Sequence, residues 1–137
     1  MASAIKHRNV LGGPLALCSS SPMTGWFRDG YCRTDANDSG KHVVAAVITA
    51  PFLAFTRSRG NDLETPNLPS FPGLRAGDRW CLCVLRWKEA FDNGVAPLVD
   101  LNATHEAALK HVELRDLQSR AWAEELAPSL SGSADLR

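Results

Sequence analysis

Two runs of the chain, residues 43–48 and 80–87, are apolar at nearly every position. Successive side chains on a strand point to opposite faces, so an unbroken apolar run needs cover on both sides. In the second run Cys81, Cys83, Leu85 and Trp87 would share one face, and Trp80, Leu82, Val84 and Arg86 the other. Both runs therefore read as central strands of one sheet with packing above and below. A chain of 137 residues can bury one real core of this kind. The expected fold class is α+β: a single compact domain, with a small mixed or antiparallel sheet and two to four helices. Residues 1–127 read as the globular domain. Residues 128–137, small and polar, read as a flexible C-terminal tail.

The remaining elements follow from local signals. Thr49 or Ala50 caps a helix, with Pro51 in its first turn, Phe52, Leu53 and Phe55 on its apolar face and Gly60 just past its end. Pro66, Pro69 and Pro72 exclude a helix or a central strand from residues 61–73, which form a long ordered loop. A short helix over 88–93 ends at Gly94, and Pro97 makes 95–101 an edge strand. Asn102 or Thr104 caps a helix over 105–110. A last helix over 114–126 carries Leu114, Leu117, Ala121 and Trp122 at helical spacing. Between Trp26 and Arg33, Asp29-Gly30 reads as the turn of a two-residue hairpin. Residues 35–40 are a polar loop.

Fifteen basic and fifteen acidic residues give zero formal net charge. That argues against electrostatic binding of nucleic acid and against a polybasic membrane surface. The longest apolar stretch, 43–55, is too short to span a bilayer and is broken by Thr49 and Pro51. Residues 6–18 faintly imitate a signal peptide ending in Cys18. Gly12-Gly13-Pro14 interrupts the apolar part, however, and Leu17 is too large to precede a cleavage site. The expected setting is intracellular, soluble and cytoplasmic. The glycosylation triplets at Asn37 and Asn102 then carry no weight.

The four cysteines, Cys18, Cys32, Cys81 and Cys83, contain no Cys-x-x-Cys pair. In that setting all four are expected to be reduced, with Cys81 and Cys83 mostly buried as small apolar packing. Three constellations could still carry chemistry. A thiol–imidazole site would draw a nucleophile from Cys32, Cys81 and Cys83 and a base from His42 or His105. His105, at a helix start, is expected to stay neutral. A metal site would draw on Cys81, Cys83 and His105. On one strand face, though, Cys81 and Cys83 stand about 7 Å apart, wider than the sulfurs of tetrahedral zinc. A small-ligand pocket would use Arg28, Asp29, Arg33, Asp62, Asp78, Arg79 and Trp80, all at turns or strand ends near Trp26 and Phe71. Against each acidic residue stands a simpler role, the local hydrogen bonding that places Asp in turns. Phosphate-loop, dinucleotide, zinc-protease and nucleophile-elbow signatures are missing from the sequence.

The chain resembles a known family over roughly residues 8–122. The resemblance rests on Asn9-Val10-Leu11-Gly12-Gly13-Pro14-Leu15, on Thr24-Gly25-Trp26-Phe27-Arg28-Asp29-Gly30-Tyr31-Cys32, and on Gly60-Asn61-Asp62-Leu63. It continues through Phe71-Pro72-Gly73-Leu74, Gly77-Asp78-Arg79-Trp80-Cys81-Leu82-Cys83 and Ala103-Thr104-His105-Glu106-Ala107-Ala108-Leu109. In this order and spacing the blocks are similar to domain-of-unknown-function family 2237. The resemblance implies a small soluble single-domain protein and carries over no catalytic residue. One departure stands out. Members often have a cysteine soon after the residues matching His42-Val43-Val44, where this chain has Ala45 and Ala46. A metal or redox scheme requiring that cysteine is weakened here.

Two functions remain open on the sequence. One is binding of a small anionic ligand or a metal in a polar pocket built from loops, with Arg28, Asp29, Asp62, Asp78, Cys81 and His105 among its lining. The other is a non-enzymatic interaction or accessory protein whose motif residues hold the fold. Cofactor and oligomeric state stay open. The expected partner is a small molecule, with neither nucleic acid nor membrane.

Overall fold

Residues 43–46 leave no face for water: Val43, Val44, Ala45 and Ala46 are all essentially inaccessible. In the computed structural model, which describes residues 7–69 and 71–122, they form the middle of β1 (His42–Val47). β1 is the central strand of a three-stranded antiparallel sheet, between β2 (Arg79–Cys83) and β3 (Leu98–Val99). Ala45 stands opposite Cys81, and Ala46 lies between Trp80 and Val99. One face of the sheet sends Val44, Ala46, Trp80 and Leu82 into the main core with Phe52, Trp87 and Leu117. The other sends Ala45 and Cys81 into a smaller cluster with Cys18, Cys32 and Ala103. Cover on both sides is what a doubly apolar strand requires, and the result is a single compact α+β domain.

Helix α1 (Ala50–Ser58) starts where the local signals place it. The Thr49 hydroxyl accepts the Phe52 N–H at 3.2 Å, and Pro51 sits in the first turn. Gly60, at φ +90°, follows the helix end in a left-handed conformation that glycine adopts without strain. Residues 61–69 and 71–73 contain neither a helix nor a strand, as three prolines demand. β3 is the expected edge strand, and it begins just after Pro97.

Several elements differ from the sequence-based expectation. The second apolar run is an edge strand rather than a central one, is a strand only to Cys83, and gives way at once to helix α2 (Val84–Asp92). Val84, Trp87 and Ala90 are buried at a spacing of three, while Leu85, which a strand would bury, is 56 % exposed. A run apolar at nearly every position fits either period, and packing chose the helix.

Asp29-Gly30 is not the turn of a hairpin, because the segments on either side of it do not pair as strands. Both ends of this loop are fastened to β2 at the same residue. The Thr24 hydroxyl accepts the Cys81 N–H at 2.8 Å, and Cys32 is bonded to Cys81. The loop closes with left-handed backbone at Gly25, Arg28 and Gly30. At Gly25 a Cβ would lie 2.4 Å from the Tyr31 carbonyl oxygen, so only glycine fits.

The segment after His105 is a 3-10 helix (Glu106–Lys110) capped by His105 itself, whose Nδ1 accepts the Ala107 N–H. Thr104 is occupied elsewhere: its hydroxyl accepts the Ala45 N–H and donates to the Asp100 carbonyl. Asn102 lies in a 3-10 turn (Leu101–Ala103) capped by Asp100. Helix α3 (Leu114–Gln118) is shorter than its apolar spacing suggests. Ala121 and Trp122 are drawn back along β3, where the Trp122 N–H bonds the Val99 carbonyl. The proposed continuation to residue 126, the domain end at 127 and the tail 128–137 lie outside the described residues. Among the described residues no helix is long and apolar enough to cross a membrane.

Candidate functional site

The loop from Thr24 to Cys32, hung over β2, overhangs a cleft of about 540 Å³. The proline-rich loop supplies Asn61, Asp62, Leu63, Thr65, Asn67 and Phe71 to its lining. Its floor is β2, with Trp80, Cys81, Leu82 and Cys83, and His42 enters from the start of β1. Trp80 meets Phe71 edge-on at 5.3 Å, and the Arg28 guanidinium lies 5.1 Å over the Trp80 ring. Such a cation–π contact holds a guanidinium flat against an aromatic wall.

Of the residues singled out from the sequence, the cleft gathers Arg28, His42, Asp62, Trp80, Cys81 and Cys83. Asp62 is already committed to its own turn. Its carboxylate accepts the Thr65 hydroxyl and the Glu64 and Thr65 N–H groups, and these bonds hold its pKa below the ordinary value. The others lie apart. Asp29 pairs with Arg33 and accepts the Tyr31 N–H. Asp78 accepts the Arg75 N–H in the turn before β2. Arg79 pairs with Asp100 and stacks on Trp122.

His105 is not among the residues lining the cleft; its Nε2 meets His7 Nδ1 at 3.1 Å. Because its Nδ1 accepts the Ala107 N–H, Nε2 carries the hydrogen and donates to His7. Its pKa is lowered by burial first and by the neighbouring His7 second, rather than by a helix dipole. A lowered folded pKa means that the unfolded chain binds the proton more readily. Stability should therefore be complete above pH 6.5 and fall as the pH drops below it. Replacing His105 by Asn, which can still cap the turn, should flatten that fall in urea melts run across this range.

The cysteines correct the expectation of four reduced thiols. Cys32 and Cys81 form a disulfide, with sulfurs 2.08 Å and Cα atoms 5.3 Å apart, while Cys18 and Cys83 are free. The fold places the two cysteines within bonding reach on facing segments, which spacing in the sequence cannot show. The Cys18 sulfur lies within 4.8 Å of both bonded sulfurs. Burial pushes its thiol up to about 12. Metal ligation requires thiolates, and this cluster offers two disulfide sulfurs and one thiol held protonated. Cys32 and Cys81 are likewise no nucleophiles in this state. The metal trio Cys81, Cys83 and His105 is divided between an oxidised sulfur, a free thiol and an imidazole that lies outside the cleft lining with both nitrogens engaged.

One group escaped the sequence reading. Asp38 is fully buried, and its Oδ1 lies 2.7 Å from His42 Nδ1. Its Oδ2 accepts the His42 N–H and the Thr34 hydroxyl. Burial opposes its ionisation, but these bonds and the His42 ring outweigh it and hold the pKa below 3.8. The only signal in the sequence is an Asp four residues before a His, inside a stretch that reads as an ordinary polar loop. Trp26 stacks on the His42 ring at 6.1 Å with planes 10° apart, so the imidazole is held from its face as well as its edge.

No curated protein matches this chain. Residues 8–121 match the family described as an uncharacterized protein conserved in bacteria, domain-of-unknown-function family 2237, and the chain belongs to it.

Proposed function

We propose that the cleft binds a small anionic molecule with a flat apolar part. The observation that carries this reading is Arg28, the cationic side chain in the cleft lining, laid on the Trp80 face beside Trp26 and Phe71. The Arg28 Nη1 also donates to the Gly25 carbonyl at 2.8 Å, which steadies the guanidinium in the cleft wall. With five N–H donors a guanidinium can bind a carboxylate or phosphate beside such a bond, while the aromatic walls cover a planar apolar body. The volume of about 540 Å³ lies in the range of small-molecule sites. The Asp62 carboxylate, exposed to solvent and turned to Thr65 and the 64–65 backbone, repels an anion only through the high dielectric of water. Zero formal net charge favours a small molecule over nucleic acid as the partner.

The test is calorimetric titration with a panel of small aromatic and aliphatic carboxylates and phosphate esters. Binding should fall about tenfold or more in Arg28→Asn, the loss expected when a charged hydrogen bond is removed. Asn is chosen because it tolerates the left-handed backbone, φ +54°, that Arg28 adopts. Equal binding by the variant, or no binding by any member of the panel, would remove this reading.

A further inference from the structure

Cys83 and His42 stand opposite each other across β1 and β2, and both line the cleft. Opposed residues of regular antiparallel strands have Cβ atoms about 5 Å apart. This pair borders a bulge between His42 and Val44, and rotation of the Cys83 side chain is what would bring the thiol to the ring. The imidazole is held in turn by the buried Asp38 carboxylate at 2.7 Å. We propose that Cys83, His42 and Asp38 form a nucleophilic thiol site for acyl transfer to water, acting on small anionic esters or thioesters held in the cleft. This deepens the binding reading and rests on it for the substrate's charge.

Each group has a role fixed by its surroundings. Asp38 is ionised at neutral pH, so it accepts the His42 Nδ1 hydrogen and leaves the Nε2 lone pair as the base. An oriented base next to a nucleophile is the arrangement that activates thiols and hydroxyls on unrelated folds. Trp26 stacked on the ring limits its rotation. Cys83 is the last residue of β2 and the N-cap of the nine-residue helix α2. Negative charge developing on its sulfur during attack therefore falls at the positive end of the helix dipole. Of the two free cysteines, Cys83 is partly exposed in the cleft, while Cys18 is buried with its thiol held protonated.

The reaction balances with water as the only co-reactant. As the Cys83 sulfur attacks the acyl carbon, its proton passes to His42 Nε2 and an S–C bond forms. The bond from the acyl carbon to the leaving alcohol or thiol breaks, and the leaving group takes the proton from His42. Water then attacks the thioester, giving its proton to His42. The C–S bond breaks, the carboxylic acid departs, and the sulfur regains its hydrogen.

The experiment uses the full chain without reductant, so that the Cys32–Cys81 bond is kept, with 4-nitrophenyl acetate as the acyl probe. Nitrophenolate release should come with an acetyl group on Cys83, located by mass spectrometry, and Cys83→Ser should abolish both. His42→Ala should slow acylation about a hundredfold, the usual contribution of a general base, with free imidazole restoring part of the rate. Gly40→Ala offers a second route to the same group, because its Cβ would lie 2.9 Å from His42 Cε1 and must displace the ring. It should also slow acylation while the melting curve stays cooperative. Acylation no faster than in the chain unfolded in guanidinium would overturn the proposal. So would a His42→Ala rate that is unchanged, or lost beyond rescue by imidazole. Alkylation of Cys83 by iodoacetate and by iodoacetamide separates the two readings. Fast labelling by both reagents with no preference for the anion leaves the thiol site standing and removes the anion pocket. Slow labelling by both, in a protein that still binds carboxylates in an Arg28-dependent way, does the reverse.

Discussion

Replacing both Cys18 and Cys32 by Ala is expected to cost the protein about 2–4 kcal/mol of stability, read from urea melts without reductant. The Cys32–Cys81 bond spans 49 residues, and loop-closure entropy for a ring of that size gives about 4 kcal/mol, with measured losses commonly smaller. A loss near 3 kcal/mol corresponds to a fall in melting temperature of about 10 °C for a domain of this size. The double replacement is needed because of the third sulfur. In Cys32→Ser alone, Cys18 and Cys81 remain within 4.8 Å of each other and can pair when the protein is oxidised in air. The single variant should therefore keep one disulfide, now 18–81 by peptide mapping, and lose much less. The double variant should also weaken ligand binding, because the loop bearing Trp26 and Arg28 loses its covalent tie to β2. If the double variant melts with the wild type, the disulfide does not hold this loop.

Trp87→Ala is expected to be still more damaging. Trp87 is fully buried under the sheet, stacks on Phe91 at 5.0 Å and donates its indole N–H to the Pro97 carbonyl at 3.1 Å. Emptying a site of this size costs about 3–5 kcal/mol, and the Pro97 carbonyl is left without its partner in the interior. Against the 5–15 kcal/mol that usually separates folded from unfolded domains, the variant should melt far below the wild type. Trp87→Phe separates the two contributions, since it keeps most of the apolar volume and removes only the donor. Its loss should be closer to 1–3 kcal/mol. Two variants equal in stability would mean that volume hardly matters at this position.

Asp38 links stability to the site. Its folded pKa lies below 3.8, so the stability it supplies is complete above that value and is lost as the pH falls through the folded pKa. The His105 effect begins at a higher pH, just below 6.5, and the two are separable by variant.

How much of this was legible beforehand depended on whether the signal was local. β1 could be read because six neighbouring positions share one character, and the start and end of α1 because Thr49, Pro51 and Gly60 act on backbone groups a few residues away. The edge position of β3 followed from one proline, and the family from ordered blocks along the chain. The boundary at Cys83 was hidden, because an unbroken apolar run carries neither period and the exposure of Leu85 exists only once α2 packs. The hairpin failed for a related reason. Asp29-Gly30 is a sound turn signal, but Thr24 and Cys32 are both anchored to Cys81, and those long-range bonds override a local preference. The candidate site divides along the same line. Arg28, Trp80, Asp62, His42 and the cysteines could be named as residue types at turns and strand ends. Their grouping, the separation of His105 from them, the choice of Cys32 as the partner of Cys81 and the burial of Asp38 against His42 were decided by the tertiary structure. Each depends on distances between segments tens of residues apart or on which side of the sheet a loop lies, and neither quantity is written in the spacing of residues along a chain.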